Sequence, residues 1–254
     1  MWWMLAGGAA VALLLATGLF LRRSSTSPAY MSPAYWDERY RRRPATYEWY
    51  LSFQDLVDFG LLTLTSAHVS FLGQPLIAVA GLRWLDLGCG NSTLADSVSK
   101  ALRCQVTSID ISDICISLMK SKYPSKVRYL CMDARDLEFR DESFDVVVDK
   151  STLDAVVSAG SATAKHAAKR IVRQVARVPA HGTDMSVILA KVLVPKGQFL
   201  VISVHPWSYW DTIISTASPN LVHCEERAQR VVLAAGRDPI LVFLNVFSKG
   251  GMQY

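Results

Sequence analysis

The sequence predicts a single α/β domain built on a doubly wound sheet. Short apolar segments alternate with helical segments along most of the chain, which is the pattern of strands joined by crossover helices. A Gly-x-Gly turn, Gly88 to Gly90, directly follows the apolar segment that ends at Leu87, as in the first turn of many nucleotide-binding folds. With 254 residues, 51% of them hydrophobic, the chain can bury one well-packed core.

The predicted elements follow one another without an internal repeat. The strands are the run that ends at Leu87, then Val106 to Asp110, Val127 to Cys131, Phe144 to Val148 and Gln198 to Val204. The helices between them are Leu94 to Leu102, Ile111 to Lys122 and Met185 to Leu193. The ligand of an open α/β sheet lies beyond the carboxyl ends of its strands, so the polar residues that follow these strands are expected to share one crevice.

The turn Gly88-Cys89-Gly90 is predicted to hold a nucleotide cofactor. Glycine permits backbone angles that other residues avoid and lets the main chain approach a ligand closely. Asp110 ends the second strand about 20 residues later, where a carboxylate can accept hydrogen bonds from both ribose hydroxyls. The dinucleotide fingerprint requires a third glycine, but Thr93 stands there, so NAD and FAD are disfavoured.

The segment Leu85 to Asn91, LDLGCGN, resembles motif I of the class I S-adenosylmethionine-dependent methyltransferases. Further blocks occur in the order seen in the methyltransferase-like 13 group, which includes lysine methyltransferases of translation elongation factor 1-alpha; these blocks are Tyr35 to Tyr40, Tyr47 to Tyr50, Phe144 to Ala155 and Val192 to Gly197. The tail, Leu221 to His223 and Ile240 to Gly251, looks like the last two strands of that group. The resemblance implies a Rossmann-like doubly wound seven-stranded sheet from roughly Ser32 to the C-terminus.

Two residues depart from the pattern of the group. Ser151 stands where the group usually has glycine, and Lys196 replaces the first glycine of a Pro-Gly-Gly turn. These departures keep open the possibility of a catalytically silent protein that binds the cofactor and serves as a scaffold.

The resemblance implies S-adenosylmethionine as the cofactor and a protein lysine as the methyl acceptor. It carries cofactor contacts over to Trp36, Tyr40, Trp49, Gly88, Asp110, Ile111, Asp133, Ala134 and Lys150, and the Gly-x-Gly turn itself adds Gly90 to the predicted cofactor site. Aromatic faces attract a sulfonium cation, and a lysine at the end of the fourth strand is expected to reach the methionine carboxylate. Periodicity alone instead favours a packing role for the three aromatic residues and a solvated position for Lys150.

Asp149 is the candidate catalytic residue. The amine of a lysine acceptor must lose a proton before it attacks, and a nearby carboxylate can orient the amine or help the proton leave. An alternative role for Asp149 is to orient Lys150 or a backbone turn. The acceptor also stays open between a protein, with elongation factor 1-alpha as the candidate that the resemblance names, and a small molecule or lipid.

Composition disfavours several other kinds of site. The five cysteines are odd in number and contain no Cys-x-x-Cys pair, which indicates neither a disulfide framework nor a zinc site and favours a reducing compartment. The histidines show no ligand spacing, so no metal is expected, and no nucleic-acid-binding module is recognisable. The chain has a formal net charge of +5, and residues 162–178 carry a basic residue at every fourth position. This spacing predicts a basic amphipathic helix. The basic face of this helix either docks an acidic protein or anionic lipid or is a solvated surface.

Residues 1–23 are predicted to form a transmembrane anchor, residues 24–32 a linker and residues 33–254 the methyltransferase domain. Met1 to Leu21 is uncharged and apolar over the roughly 20 residues needed to span a bilayer, and Arg22 and Arg23 follow. The positive-inside rule places the catalytic domain on the cytosolic side. A mitochondrial presequence is the alternative, disfavoured because such segments are amphipathic and rich in arginine.

Overall fold

The computed structural model describes residues 29–64, 69–75, 81–124, 126–176, 193–231 and 240–249. Its helices are α1 (Pro33–Arg42), α2 (Phe53–Asp58), α3 (Leu94–Leu102), α4 (Asp113–Lys122), α5 (Thr152–Val157), α6 (Ala162–Ala176) and α7 (Trp207–Ala217). Its strands are β1 (Leu62–Leu64), β2 (Val69–Phe71), β3 (Gln74–Pro75), β4 (Arg83–Leu87), β5 (Gln105–Asp110), β6 (Val127–Cys131), β7 (Phe144–Lys150), β8 (Leu193–Ser203), β9 (Leu221–Val231) and β10 (Ile240–Lys249).

Seven strands form the central sheet in the order β6-β5-β4-β7-β8-β10-β9. Strands β4 to β8 pair in parallel, whereas β10 pairs antiparallel with both β8 and β9. The chain proceeds from β4 to one side for β5 and β6, and then to the other side for β7 and β8. The strand order therefore reverses between β4 and β7, where open α/β sheets bind their ligands. The predicted doubly wound seven-stranded sheet is confirmed.

The central strand β7 is apolar on both faces, which places it in the middle of the sheet. Val147 packs among residues of α6 and α7, whereas Val146 and Val148 pack among residues of α3 on the other face. Helices thus cover both sides of the sheet, and a near-continuous apolar strand is what such burial requires. This rigid centre supports the loops at the carboxyl ends of β4 and β7.

Several boundaries differ from the sequence expectation for local reasons. Helix α4 begins at Asp113 rather than Ile111, because Ser112 is its N-cap and accepts a hydrogen bond from the Cys115 N–H at 3.1 Å. Strand β8 begins at Leu193, five positions before the predicted start at Gln198. The predicted helix Met185 to Leu193 lies outside the described residues except for Leu193. A small antiparallel sheet of β1, β2 and β3 was not predicted.

Helix α6 confirms the helical part of the prediction for residues 162–178, up to Ala176. Its apolar side is buried in the core through Ile171, Val172 and Val175, whereas Lys165 and Arg173 are exposed. Docking of an acidic partner on this helix remains a prediction.

The prediction of an N-terminal transmembrane helix, and with it of a membrane-anchored localisation, has to be corrected. In the described ranges, no helix is long and apolar enough to cross a membrane. The longest of them, α6, has 15 residues. A helix of this length measures about 22 Å, against a hydrocarbon core of ~30 Å. Residues 1–23, to which the anchor was assigned, and 24–28 of the linker lie outside the described residues.

Candidate functional site

A crevice of about 290 Å³ lies beyond the carboxyl ends of β4, β5, β6 and β7. All ten residues predicted to contact the cofactor line it: Trp36, Tyr40, Trp49, Gly88, Gly90, Asp110, Ile111, Asp133, Ala134 and Lys150. Residues that sequence reasoning did not assign to the site also line it, among them Tyr30, Tyr50, Arg135, Asp154 and His205. The volume approaches the lower end of the range of roughly 300–1,000 Å³ for small-molecule sites.

At the glycine turn after β4, a side chain on either glycine would collide with a neighbouring residue. Gly88 and Gly90 have φ angles of +63° and +54°. A β-carbon on Gly88 would lie 2.2 Å from the Thr152 Oγ1, and one on Gly90 would lie 3.0 Å from the Tyr40 hydroxyl oxygen. Both positions therefore require glycine, and the bare backbone faces the crevice as a nucleoside cradle requires.

Asp110 is held in place at the end of β5 by backbone donors. Its two carboxylate oxygens accept the N–H groups of Gly90 at 3.0 Å and Ser112 at 2.9 Å. Burial raises the pKa of Asp110 to about 6, although these N–H donors lower it. The carboxylate is therefore ionised at neutral pH and retains acceptor capacity for ribose hydroxyls.

Cofactor affinity is expected to fall as the pH drops through about 6, the raised pKa of Asp110. Above this pH the ionised carboxylate accepts hydrogen bonds strongly, and below it the neutral acid accepts them less well. Calorimetric titration with S-adenosylhomocysteine between about pH 5 and pH 8 checks this linkage. Asp110→Asn should bind weakly at every pH and lose the dependence. If the affinity of Asp110→Asn falls equally steeply with pH, the titrating group is not Asp110.

Asp133 and Ala134 follow β6 at the predicted adenine positions. Arg135 donates from Nε to both Asp133 oxygens at 2.9 Å. Burial raises the pKa of Asp133, but the hydrogen bonds from Arg135 outweigh burial and hold that pKa below its usual value. Asp133 is consequently an ionised hydrogen-bond acceptor, and the apolar residues Ile111 and Ala134 line the crevice beside it. The acceptor suits the polar edge of an adenine ring, and the apolar residues suit its flat face.

An aromatic wall closes the crevice on the side of α1. The ring of Trp36 stacks on that of Tyr40, with centroids 5.9 Å apart, and the Trp36 Nε1 donates to the Tyr30 carbonyl at 2.7 Å. Burial raises the pKa of Tyr40, which keeps its hydroxyl neutral. Trp49 stands on the same side, within 5.2 Å of the guanidinium carbon of Arg39. The rings of Trp36, Tyr40 and Trp49 thus pack against neighbouring side chains and also line the crevice.

Lys150 is almost fully buried and already has three acceptors. Its Nζ lies 2.5 Å from the Glu48 carboxylate, 3.1 Å from the Leu51 carbonyl and 3.2 Å from the Ser92 Oγ. An ammonium group has three N–H donors, so these contacts use all of them. The geometry therefore favours a bracing role, in which Lys150 fixes the segment that carries Trp49 against the sheet.

Asp149 does not line the crevice. Its side chain is completely buried, accepts the Leu153 N–H at 3.0 Å and has a pKa raised by burial and by the nearby Asp154. These contacts favour the alternative role, in which Asp149 orients a backbone turn, over the predicted catalytic role.

Asp154 lies one turn further along and is the carboxylate of the crevice that sequence reasoning left unassigned. It accepts hydrogen bonds from the Ser203 hydroxyl at 2.6 Å, the Val204 N–H at 3.0 Å and the Tyr50 hydroxyl at 2.9 Å. Burial, and next the charge of Asp154, raise the pKa of Tyr50, so that its hydroxyl stays a donor. The signal available in the sequence was the second acid of the segment Asp149 to Asp154.

Ser151 has a left-handed backbone, with φ of +75°. This conformation explains why a glycine is usual at this position of the resembling group. Ser151→Gly is expected to raise the free energy of unfolding by about 0.5 to 1 kcal/mol, because relief of the left-handed penalty exceeds the entropic cost of glycine. Urea unfolding measures the change.

Ser158→Gly is the matched control for that substitution, because Ser158 has φ of −55°. Glycine relieves no strain there, so the control should be destabilised. A loss of stability in Ser151→Gly of similar size would contradict the strain argument.

Comparison with known proteins agrees with this geometry. Residues 85–183 match the sequence profile of the family described as "Methyltransferase domain". EEF1A lysine methyltransferase 4 of Bos taurus is 30% identical over 187 residues, which are 68% of this chain and 61% of the relative. The protein of the same name from Mus musculus is 33% identical over 176 residues, 67% of this chain and 60% of the relative.

A longer relative aligns with more of this chain. The eEF1A lysine and N-terminal methyltransferase of Bos taurus is 28% identical over 214 residues, which are 82% of this chain and 29% of the relative. The chain thus spans about three fifths of the length of the first relatives and less than a third of the longer one.

Among solved structures, the one titled "Conversion of a Disulfide Bond into a Thioacetal Group during Echinomycin Biosynthesis" superposes with a TM-score of 0.54 at 15% identity, over 86% of this chain and 93% of the other. At this identity the superposition supports the fold alone. Together, the matches confirm the methyltransferase domain and the resemblance to the elongation factor 1-alpha lysine methyltransferases.

Proposed function

We propose that this chain, whose residues 85–183 match the methyltransferase domain family, transfers the methyl group of S-adenosylmethionine to a lysine side chain of a protein. The relatives named for lysine methylation of elongation factor 1-alpha support this choice, and they make that factor the first acceptor to test. The observation that carries the proposal is the Asp154 carboxylate, anchored by three donors inside the same crevice as the nucleoside cradle.

When bound, S-adenosylmethionine supplies an electrophilic methyl group on a positively charged sulfur. The bare backbone at Gly88 and Gly90 and the carboxylate of Asp110 hold a nucleoside at the switch point of the sheet. The rings of Trp36, Tyr40 and Trp49 face the crevice, where they attract a cation and exclude water. These residues do not need to perform covalent chemistry, because transfer to an in-line nucleophile depends mainly on positioning.

The amine of the acceptor lysine is expected to contact the carboxylate of Asp154, which lines the crevice. A lysine ammonium that enters the crevice finds there an anionic partner, whose oxygens already point in a fixed direction because Ser203, Val204 and Tyr50 hold them. Desolvation in the crevice lowers the pKa of the amine, and the neighbouring carboxylate opposes this effect by favouring the ammonium form. The ammonium therefore releases one proton to water before it attacks, and Asp154 then accepts one of the remaining N–H groups, which orients the nitrogen lone pair away from the carboxylate. Attack on the methyl carbon breaks its bond to sulfur and leaves S-adenosylhomocysteine. The rings of Trp49 and Tyr50, which also line the crevice, suit the apolar stem of a lysine.

Purified protein incubated with radiolabelled S-adenosylmethionine and elongation factor 1-alpha tests the proposal. The matched control is the same acceptor with its lysines blocked by chemical acetylation. Label in the untreated acceptor alone is expected. Label confined to lipid or small-molecule extracts of a lysate would instead favour the small-molecule alternative, and cofactor binding without any transfer would favour a silent scaffold.

A further inference from the structure

Among the residues that the structure describes, Lys150, Arg135 and Arg39 carry positive charges at or beside the crevice, and they differ in whether an anionic side chain neutralises them. Lys150 pairs with Glu48 at 2.5 Å, and Arg135 pairs with Asp133 at 2.5 Å. Arg39, on α1, forms no ion pair within the described residues. Its neighbours Arg41 and Arg42 both pair with Glu38 instead. A positive charge without an anionic partner is therefore left at the aromatic wall.

The rings of that wall fix the position of the charge. The guanidinium carbon of Arg39 lies 5.9 Å from the ring centroid of Trp36, 5.5 Å from that of Tyr47 and 5.2 Å from that of Trp49. Two of these rings, Trp36 and Trp49, line the crevice. Aromatic stacking occupies the faces of a guanidinium and leaves its N–H donors around the edge, where they can bind a carboxylate in a bidentate manner.

The methionine end of the cofactor carries a carboxylate that needs such a donor. Lys150 is a poor candidate, because Glu48, Leu51 and Ser92 already accept its three N–H groups. Withdrawing Lys150 from Glu48 would leave a half-buried carboxylate without its cation, which is costly. We propose that Arg39, rather than the side chain of Lys150, forms the ion pair with the carboxylate of the methionine end. The inference rests on the proposed function only for the identity of the cofactor.

Arg39→Gln separates this role from simple packing. Calorimetric titration compares two ligands, S-adenosylhomocysteine, which keeps the amino-acid end, and 5′-methylthioadenosine, which lacks it. The variant is expected to bind S-adenosylhomocysteine about 10-fold to 100-fold more weakly, the usual loss for a hydrogen-bonded charge pair. It should bind 5′-methylthioadenosine within about 2-fold of the unmodified protein, since that ligand offers no carboxylate.

Arg41→Gln is the matched control, because Arg41 lies on the same helix, is exposed and pairs with Glu38. It should change neither affinity, and Arg39→Lys should recover part of the lost affinity for S-adenosylhomocysteine by restoring the charge. Equal losses for the two ligands in Arg39→Gln would show that Arg39 only supports the wall, and unchanged binding of S-adenosylhomocysteine would also overturn the inference. If the unmodified protein binds neither ligand, the proposed function itself fails.

Discussion

Gly88→Ala is expected to weaken the binding of S-adenosylhomocysteine by about 100-fold or more, equivalent to ~2.7 kcal/mol. The backbone at Gly88 has φ of +63°, and the added β-carbon would lie 2.2 Å from the Thr152 Oγ1. Either the turn or Thr152 must move. The Thr152 Oγ1 donates to the Leu87 carbonyl at 2.8 Å, so moving it also disturbs the end of β4. Calorimetric titration, with circular dichroism to verify folding, measures the effect.

Gly160→Ala is the matched control for that substitution. Gly160 has nearly the same angle, φ of +64°, but a β-carbon there meets nothing within 4 Å. Both variants incur the left-handed penalty of roughly 1–2 kcal/mol in stability, and only Gly88→Ala also collides with a neighbour. Similar affinities in the two variants would contradict the claim that the turn after β4 forms the cofactor site.

Asp154→Asn is expected to lower the rate of methyl transfer by about 10² to 10⁴-fold, the range for loss of a positioned acid or base. The amide is nearly isosteric, and its oxygen can still accept from Ser203 or Tyr50. The nucleoside contacts at Gly88 and Asp110 are untouched, so the affinity for S-adenosylhomocysteine should stay within a few-fold. Single-turnover kinetics with labelled cofactor separate the two effects.

Asp211→Asn serves as the control for charge loss, because Asp211 is exposed on α7 and away from the crevice lining. It should transfer methyl groups at the unmodified rate. If Asp154→Asn keeps full activity, the acceptor amine is held by another group and the assignment of Asp154 is wrong. A parallel loss of cofactor affinity would indicate a structural role in the crevice wall instead.

The backbone of the site could be predicted from the sequence because its signals are local. The apolar segment before Gly88, the acid at Asp110 and the apolar strand β7 each appear within a few consecutive residues, and the parallel sheet brings their ends together. The same reasoning, with the family resemblance, identified ten residues that line the crevice. Their individual roles toward the cofactor remain predictions.

The electrostatic partners could not be predicted, because they join segments that are distant in the sequence. Glu48 and Lys150 are 102 positions apart, and Tyr50 and Asp154 are 104 apart. Whether a lysine at a strand end forms an ion pair depends on an acidic residue from another part of the chain. The residues next to Lys150 in the sequence therefore do not reveal its pairing with Glu48. The choice between Asp149 and Asp154 depends on which carboxylate lines the crevice. Asp149 lies in strand β7 and Asp154 lies in helix α5, so the answer depends on how the helix packs beyond the end of the strand.

Tandem mass spectrometry of proteins from a host-cell lysate, incubated with the full chain and S-adenosylmethionine that carries an isotopically heavy methyl group, tests the central claim most directly. The proposed function predicts the heavy methyl group on the side-chain nitrogen of a lysine in a selective protein acceptor, and its absence when the Gly88→Ala variant replaces the unmodified protein. Heavy methyl groups found only in lipids or small molecules, or in no fraction although the protein binds S-adenosylhomocysteine, would contradict it.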